Sequence, residues 1–179
     1  EGVTVADLGM EFLFQPLKSS KTATYTKVNL KEPKFDQPKN LTEVLMQLLS
    51  APNIASKESV VRSYDHEVKG NTTLKPLHGD YAGPNDAAII KPLDNSWKGV
   101  SISCGMNPNY GKIDPYWMAA SAIDEALRNN IAVGGSRIAL LDNFVWGNPE
   151  KPERLGSLVK ACEACYDMAK AFKAPFISG

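Results

Sequence analysis

The chain has 179 residues, and its 20 Lys and Arg side chains balance its 20 Asp and Glu side chains, so the sequence pI is near 7.0. A balanced chain lacks the broad positive surface with which proteins bind nucleic acid or anionic lipid. No run of about 18 apolar residues is present, so no segment is predicted to span a membrane. The length fits one domain, or one domain with a piece of another. We therefore expect neither a nucleic-acid partner nor a membrane partner.

The cysteine content bears on the compartment. Three cysteines are few, and odd in number, for a disulfide framework. Cysteines that stay reduced are typical of a reducing compartment. No basic segment followed by an apolar one opens the sequence, so no secretion leader is recognised. We therefore expect a cytoplasmic protein.

The first forty residues divide into two parts. Residues 3–14 are mostly apolar and include β-formers, which predicts a strand. Residues 17–40 are rich in Lys and Thr and show no periodicity, which predicts a linker. The sequence opens without methionine and stops directly after a short apolar run, so we expect a fragment of a longer protein. In this interpretation residues 1–16 are the last strand of a preceding domain, and residues 41–179 form the next domain.

Helices are predicted from capping residues and apolar periodicity. Asn40 caps the first helix, with Glu43 three residues later and an apolar stripe of leucines behind it. Asp114, followed directly by a proline, caps a long helix. Two more are expected, a short helix from Ser56 and a long helix over residues 154–172.

Short strands are predicted between these helices. Residues 86–92 and 99–105 form a strand–turn–strand pair. Strands and helices interleave, and the short connections favour mixed pairing, so the sequence predicts an α+β fold with a mixed sheet and its helices on one face. The other sheet face is then available for pairing with another part of the protein or with a second copy. The further strands are expected at 72–77, 137–143 and 175–178.

Cys162 and Cys165 form a C-x-x-C pair, a spacing found in redox sites and in one half of a zinc site. No second pair completes four zinc ligands. On the predicted long helix both thiols lie on the apolar stripe, so we interpret them as core packing. The stripe contains Leu155, Leu158, Val159, Cys162, Cys165, Tyr166, Ala169 and Phe172.

Two other features have structural interpretations. His66 and His78 are the only histidines, and neither stands at metal-ligand spacing, so a structural role is favoured while a catalytic one stays open. Gly134 and Gly135 follow a helix, where they cap its C terminus more readily than they bind phosphate.

Four polar side chains are candidate ligands for a metal–nucleotide complex. Glu125 and Asn129 are four positions apart on one predicted helix, which sets their Cβ atoms about 6 Å apart. Facing a sheet, their oxygens suit Mg²⁺, whereas a solvated helix face is the alternative. Asp86 opens one predicted strand and Asp142 closes another. Carboxylates at strand ends near glycine turns often ligate metal–nucleotide complexes, and turn capping explains these two equally well.

Six runs of sequence taken together are more specific than any single motif. Two of them are SKESVVRSYDHEVKG at 56–70 and LDNFVWGNPEKPE at 141–153. In their order along the chain the runs resemble phosphoribosylformylglycinamidine synthase (FGAM synthase), the ATP-dependent amidotransferase of purine biosynthesis. The others are 75–77, 84–90, 125–129 and 175–179.

The resemblance implies a fold and a set of site residues. The chain is similar to the second N-terminal-like domain of the synthase, which is related to aminoimidazole ribonucleotide (AIR) synthase. Two such domains pair their sheets into a closed barrel with ATP sites at the junction. By motif, Asp142 and Gly179 would contact nucleotide, and Asp86, Glu125 and Asn129 would ligate magnesium. No catalytic residue is expected here, because the family's catalytic histidines belong to the first half.

The resemblance also implies a reaction and partners. ATP phosphorylates the amide oxygen of formylglycinamide ribonucleotide, and ammonia taken from glutamine then displaces it to give formylglycinamidine ribonucleotide. The implied cofactors are ATP and Mg²⁺. The implied partners are the remainder of the synthase chain, with its first N-terminal-like domain, and a glutaminase domain or subunit. We expect the fragment to be inactive alone and to form a homodimer through its bare sheet face.

Two alternatives stay open. In the first alternative, the domain would be non-catalytic and would hold a structural nucleotide. In the second the parent would be another ATP-dependent enzyme of the same superfamily, such as a thiamine-phosphate or selenophosphate kinase.

Overall fold

The computed structural model describes residues 2–15 and 18–179, so Glu1, Pro16 and Leu17 lie outside the described residues. The strand predicted at residues 3–14 is wrong. Residues 2–9 have no regular structure, and helix α1 (Met10–Phe14) follows. A strand needs a neighbour to receive its hydrogen bonds, whereas a helical turn closes its own. The N–H of Leu13 accordingly donates to Gly9, and that of Gln15 to Glu11.

Residues 18–40 contain neither helix nor strand, as their composition predicts, and their role as an interdomain linker stays a prediction. Helix α2 (Leu41–Ser50) then begins at the predicted cap. The Asn40 side-chain oxygen accepts from the backbone N–H of Thr42 at 3.1 Å and of Glu43 at 3.3 Å. The leucines of α2 remain exposed in the described structure. The short helix α3 (Glu58–Val61) follows within the segment predicted from Ser56.

In the described part of the chain the strands form three small sheets. Strands β1 (Thr72–Leu74), β4 (Ala88–Ile90) and β5 (Val100–Ile102) make an antiparallel sheet in the order β1-β4-β5. Between them β2 (Leu77–His78) and β3 (Gly83–Pro84) form a short hairpin. Strands β6 (Leu140–Leu141) and β7 (Phe176–Ser178) pair in parallel. Mixed pairing is confirmed, but the parallel and antiparallel pairs lie in separate sheets within the described residues.

Two long helices form the centre of the fold. Asp114 caps α4 (Pro115–Ala132) as predicted, because its carboxylate accepts from the N–H of Tyr116 at 2.9 Å and of Trp117 at 3.3 Å. The second is α5 (Pro152–Phe172), which packs along α4. Their contact is made by small buried side chains and continues onto the parallel strands. The buried clusters are Ala119, Ala120, Ala161 and Ala164, and then Ile123, Leu127, Leu140 and Ala174.

The predicted core-facing stripe of α5 is therefore corrected. The buried α5 positions are Gly156, Ala161 and Ala164, whereas Cys162 and Tyr166 are exposed. Hydrophobicity alone selects the large side chains, but small residues let two helix backbones approach closely. The core-packing interpretation of the thiols holds for Cys165, which contacts both buried clusters, and is wrong for Cys162.

Helix α4 also covers one face of the antiparallel sheet. The Ser101 hydroxyl donates to the Asn130 side-chain oxygen at 3.1 Å, and the Ser103 hydroxyl donates to the Ala126 carbonyl at 2.7 Å. Side chains alternate along a strand, so Val100 and Ile102 lie on the opposite face, where both are exposed. Helices on one face and a bare face on the other are what the sequence predicts. Within the described residues, no helix has the length and apolar character needed to cross a bilayer.

Candidate functional site

Asp142 and Gly179, the two residues predicted to contact nucleotide, lie side by side. Parallel strands β6 and β7 pair Leu141 with Ser178, and each candidate residue directly follows one of these two. The Asp142 N–H donates to the Ser178 carbonyl at 3.2 Å. A Cβ placed on Gly179 would lie 1.9 Å from the Asp142 Oδ1 atom. The carboxyl ends of adjacent parallel strands are a common place for ligands in α/β proteins, and these residues occupy such a place.

The Asp142 carboxylate also lies near the two thiols of α5. Partial burial raises the pKa of Cys162, and the negative charge of Asp142 raises it further. The pKa of Cys165 rises to about 11, mainly through burial and then through Cys162 and Asp142. Both thiols therefore stay protonated near neutral pH, which argues against a nucleophilic role.

Glu125 and Asn129, two of the three predicted magnesium ligands, face the same loop after β5. The Glu125 Oε2 atom accepts from the Met106 N–H at 3.2 Å and from the Asn107 side-chain amide at 2.9 Å. The Asn129 amide donates to the Cys104 carbonyl at 3.1 Å. The two side chains thus hold the residues that leave the sheet, and neither is on a merely solvated helix face.

Asp86, the third predicted magnesium ligand, is exposed at the same end of the β4–β5 pair. It precedes Ala88 by two residues, and Ala88 pairs with Ile102, which precedes Cys104 by two residues. The fold therefore brings the three predicted ligands to one end of the antiparallel sheet, although Asp86 makes no contact with the other two that the structure records.

The side chains at this end of the sheet carry the type of ligand atom that suits magnesium. Two carboxylates and an amide oxygen are hard ligands of the class that Mg²⁺ prefers, usually together with water and phosphate oxygens. Across residues 2–15 and 18–179, however, no three His, Cys, Asp or Glu side chains converge as a metal cluster would. Any cation here would therefore be held by few protein ligands.

Comparison with known proteins places this geometry in a family. The model of the AIR synthase related protein, N-terminal domain, matches residues 84–179, more than half of the chain. The chain belongs to this family. The matched region contains all five predicted site residues, and it includes both strand pairs that position them.

Several curated relatives carry one name, phosphoribosylformylglycinamidine synthase subunit PurL. The protein from Methanocaldococcus jannaschii is 37% identical over 182 residues, which cover 100% of this chain and 24% of the relative. That from Methanothermobacter marburgensis is 38% identical over 180 residues, covering 100% of the chain and 24% of the relative. That from Methanothrix thermoacetophila is 39% identical over 142 residues, covering 79% and 18%. The chain spans less than a quarter of the length of these relatives.

The loop that follows Asp142 in this AIR synthase related domain is held by a contact that sequence reasoning missed. The Trp146 indole N–H is shared between the Ser157 hydroxyl at 2.9 Å and the Arg154 carbonyl at 3.2 Å. The ring also packs on the first buried cluster between α4 and α5. The GNPEKP letters after Trp146 predict a loop but do not indicate that its tryptophan points inward.

The structure shows the surroundings of His66 and of the glycine pair, Gly134 and Gly135, for which structural roles are favoured. The His66 Nε2 atom lies 3.3 Å from Glu67, whose other oxygen pairs with Lys75 at 2.9 Å. The Lys75 hydrogen bond is the main reason that the pKa of Glu67 is lowered. Gly134 adopts a left-handed φ of 93° and Gly135 donates to the Asn130 carbonyl, which confirms the C-terminal turn of α4.

Proposed function

We propose that this AIR synthase related domain is part of a phosphoribosylformylglycinamidine synthase and supplies a magnesium–nucleotide-binding half of that enzyme. The observation that carries the proposal is the contact of Asp142 with Gly179 at two parallel strand ends. The relatives' shared name supports the choice of parent enzyme, because similarity runs over the full length of this chain. In this proposal the domain contributes no catalytic residue and is inactive alone.

Each site residue has a definable task. The Asp142 carboxylate accepts hydrogen bonds from nucleotide hydroxyl or amino groups, and Gly179, which has no side chain, leaves the space that this carboxylate occupies. Asp86, Glu125 and Asn129 would hold Mg²⁺ through oxygen atoms. A bound Mg²⁺ offsets phosphate charge. Glu125 and Asn129 also fix the loop after β5 through their bonds to it, so the same side chains shape the edge of the site.

The exposed surface supports the proposed partners. The described structure exposes 15089 Å². A compact monomer of 19.5 kDa is expected to expose about 8,500 Å². Part of the excess is apolar, including Val100 and Ile102 on the bare sheet face. We assign this face to the first N-terminal-like domain of the same synthase, with a glutaminase domain or subunit as the source of ammonia. The whole assembly is proposed to work in the cytoplasm.

Calorimetric titration with Mg-ATP tests the nucleotide site. Asp142→Asn keeps the shape of the side chain and removes its charge, so affinity should fall about 10- to 100-fold if a charged hydrogen bond worth about 1.5–3 kcal/mol is lost. Asp124→Asn is the matched control, because Asp124 pairs with Arg128 on the exposed side of α4. Equal affinity in the Asp142→Asn and unmodified proteins would remove the assignment. A hydrolysis assay on the same samples distinguishes turnover from a structural nucleotide.

A further inference from the structure

Residues 21–25 lie in the predicted linker, yet they are attached to the domain at several points. The Thr24 N–H donates to the Pro152 carbonyl at 3.0 Å, at the start of α5. The Lys21 ammonium pairs with Glu150, two residues before that helix. These contacts join residues more than a hundred positions apart in the chain. We name residues 21–25 the clamp.

Gly156 makes the attachment of the clamp possible. A Cβ on Gly156 would lie 1.9 Å from the Thr24 carbonyl oxygen and 2.4 Å from its carbon. The Thr24 backbone thus occupies the space that any side chain at position 156 would fill. Gly156 is buried inside a 21-residue helix, where glycine is a poor helix former. Close approach of the clamp gives a physical reason for glycine at this position.

Tyr25 is the last residue of the clamp and is partly buried. Its hydroxyl is buried and has no hydrogen-bond partner within the described part of the chain. Burial raises the pKa of this hydroxyl, Asp114 at the cap of α4 raises it further, and Lys160 of α5 opposes the rise. The hydroxyl is therefore close enough to Asp114 and Lys160 to interact with both charges.

The clamp meets the far end of the loop that begins at Asp142. That loop is held in its middle by Trp146, and its last residues, Glu150 and Lys151, lead into Pro152. Lys21 and Thr24 contact the loop at Glu150 and the helix at Pro152. The clamp therefore restrains the last residues of the loop that begins at Asp142.

We propose that the clamp fixes the loop after Asp142 and so couples the linker to nucleotide binding at Asp142 and Gly179. The coupling rests on the proposed nucleotide site, whereas attachment of the clamp does not. Because coupling between two sites is reciprocal, bound nucleotide should stabilise attachment of the clamp by the same free energy by which the attached clamp strengthens nucleotide binding. The two statements are therefore tested by separate measurements on the intact protein.

Limited trypsin digestion measures attachment without any nucleotide. In the unmodified protein, cleavage after Lys21 should be about tenfold or more slower than after Lys34, because a docked segment must open before it is cut. The Lys34 backbone makes no hydrogen bond to any residue that the structure describes. Thr24→Pro removes the N–H that bonds Pro152 and should bring the two rates within about threefold of each other. Asn29→Pro is the matched control, since it adds a proline outside the clamp, away from both measured bonds, and the Asn29 N–H donates to no described residue. Equal rates at Lys21 and Lys34 in the unmodified protein would refute the clamp.

Gly156→Ala gives a second test, because the clamp determines whether the substitution raises or lowers the melting temperature. In a free helix alanine is favoured over glycine, so the melting temperature should rise if nothing occupies the space. With the clamp attached, the new methyl group collides with Thr24, so the melting temperature should fall and cleavage after Lys21 should accelerate. In the Thr24→Pro background the same substitution should become neutral or stabilising. A rise in both backgrounds contradicts the clamp.

Titration with Mg-ATP tests the coupling. Gly156→Ala and Thr24→Pro should each weaken Mg-ATP binding about three- to tenfold, a range typical of modest coupling, and Mg-ATP should slow cleavage after Lys21 by a similar factor. Tyr25→Phe keeps the ring and removes only the unpartnered hydroxyl, so it should retain both attachment and affinity. Faster cleavage with unchanged affinity would refute the coupling. Slow cleavage after Lys21 without any Mg-ATP binding would instead refute the proposed function and the coupling, and leave the clamp standing.

Discussion

The Asp142 carboxylate occupies the place where a side chain on Gly179 would stand, with its Oδ1 atom 1.9 Å from the position of that missing Cβ. The two residues are 37 positions apart and meet because β6 and β7 pair in parallel. Glycine at the end of β7 therefore determines where the carboxylate can lie. Any ligand that uses the carboxylate depends on the glycine too.

Gly179→Ala should displace the Asp142 carboxylate and weaken Mg-ATP binding about tenfold, which corresponds to about 1.4 kcal/mol. The reason is steric, since the new methyl group and the carboxylate cannot share one space. Calorimetric titration measures the change. Gly9→Ala is the matched control, because a Cβ there meets nothing within 4 Å. If Gly179→Ala binds Mg-ATP as the control does, Asp142 does not contact the nucleotide from its observed position.

Trp146→Phe should destabilise the domain by about 1 kcal/mol, the usual net value of a hydrogen bond. The substitution keeps an aromatic ring and removes the N–H shared by Ser157 and Arg154. Urea denaturation gives the free energy of unfolding. A double-mutant cycle with Ser157→Ala should show coupling between the two positions. Trp97→Phe, at a site that is 93% exposed, should change stability by less than about 0.5 kcal/mol.

Asp114→Ala should lower the free energy of unfolding by about 1 kcal/mol, because it removes the cap of a helix that forms the core. Asn40→Ala removes an equally well-formed cap, but from α2, whose leucines are exposed. It should therefore leave the main unfolding transition nearly unchanged and reduce only local helicity. Thermal unfolding followed by circular dichroism compares the two. Equal shifts of the main transition would show that α2 is part of the cooperative core.

Local sequence signals predict what local interactions decide. The caps at Asn40 and Asp114 satisfy N–H groups two and three residues away, so the sequence predicts both helix starts. The buried side of α5 is predicted only in part: Cys165 and Ala169 of the predicted stripe pack on the buried clusters. Ala161 and Ala164 are missed, because only the contact with α4 shows that small residues are needed there. Thr24 and Gly156, which contact each other, are 132 positions apart in the chain, and neither residue type predicts the contact. The resemblance alone assigns Asp142 and Gly179 to one nucleotide site, since no local signal in the sequence links the two residues.

The raised pKa of Cys165 predicts a loss of stability at alkaline pH. Its thiol has a pKa of about 11 in the folded protein and an ordinary value near 9 when unfolded. Below pH 9 both states keep the proton and the effect is constant. Between pH 9 and 11 the unfolded state releases the proton first, so stability falls as the pH rises. Cys165→Ala should show a smaller alkaline loss in urea denaturation than Cys104→Ala, whose cysteine is exposed. Parallel pH profiles for these variants would contradict the assignment.

Ile102→Lys should abolish self-association of the isolated chain if the bare sheet face is the pairing surface. Ile102 is 56% exposed on a strand whose other face packs on α4, so a lysine there is tolerated in the monomer but not inside an apolar interface. Sedimentation equilibrium measures the dimer fraction, and circular dichroism checks that the fold is kept. Val68→Lys is the matched control, because Val68 is 73% exposed and lies outside all three sheets. If both the Ile102→Lys and the Val68→Lys variants still form dimers, the chain pairs through another surface. If the unmodified chain stays monomeric at high concentration, it does not self-associate.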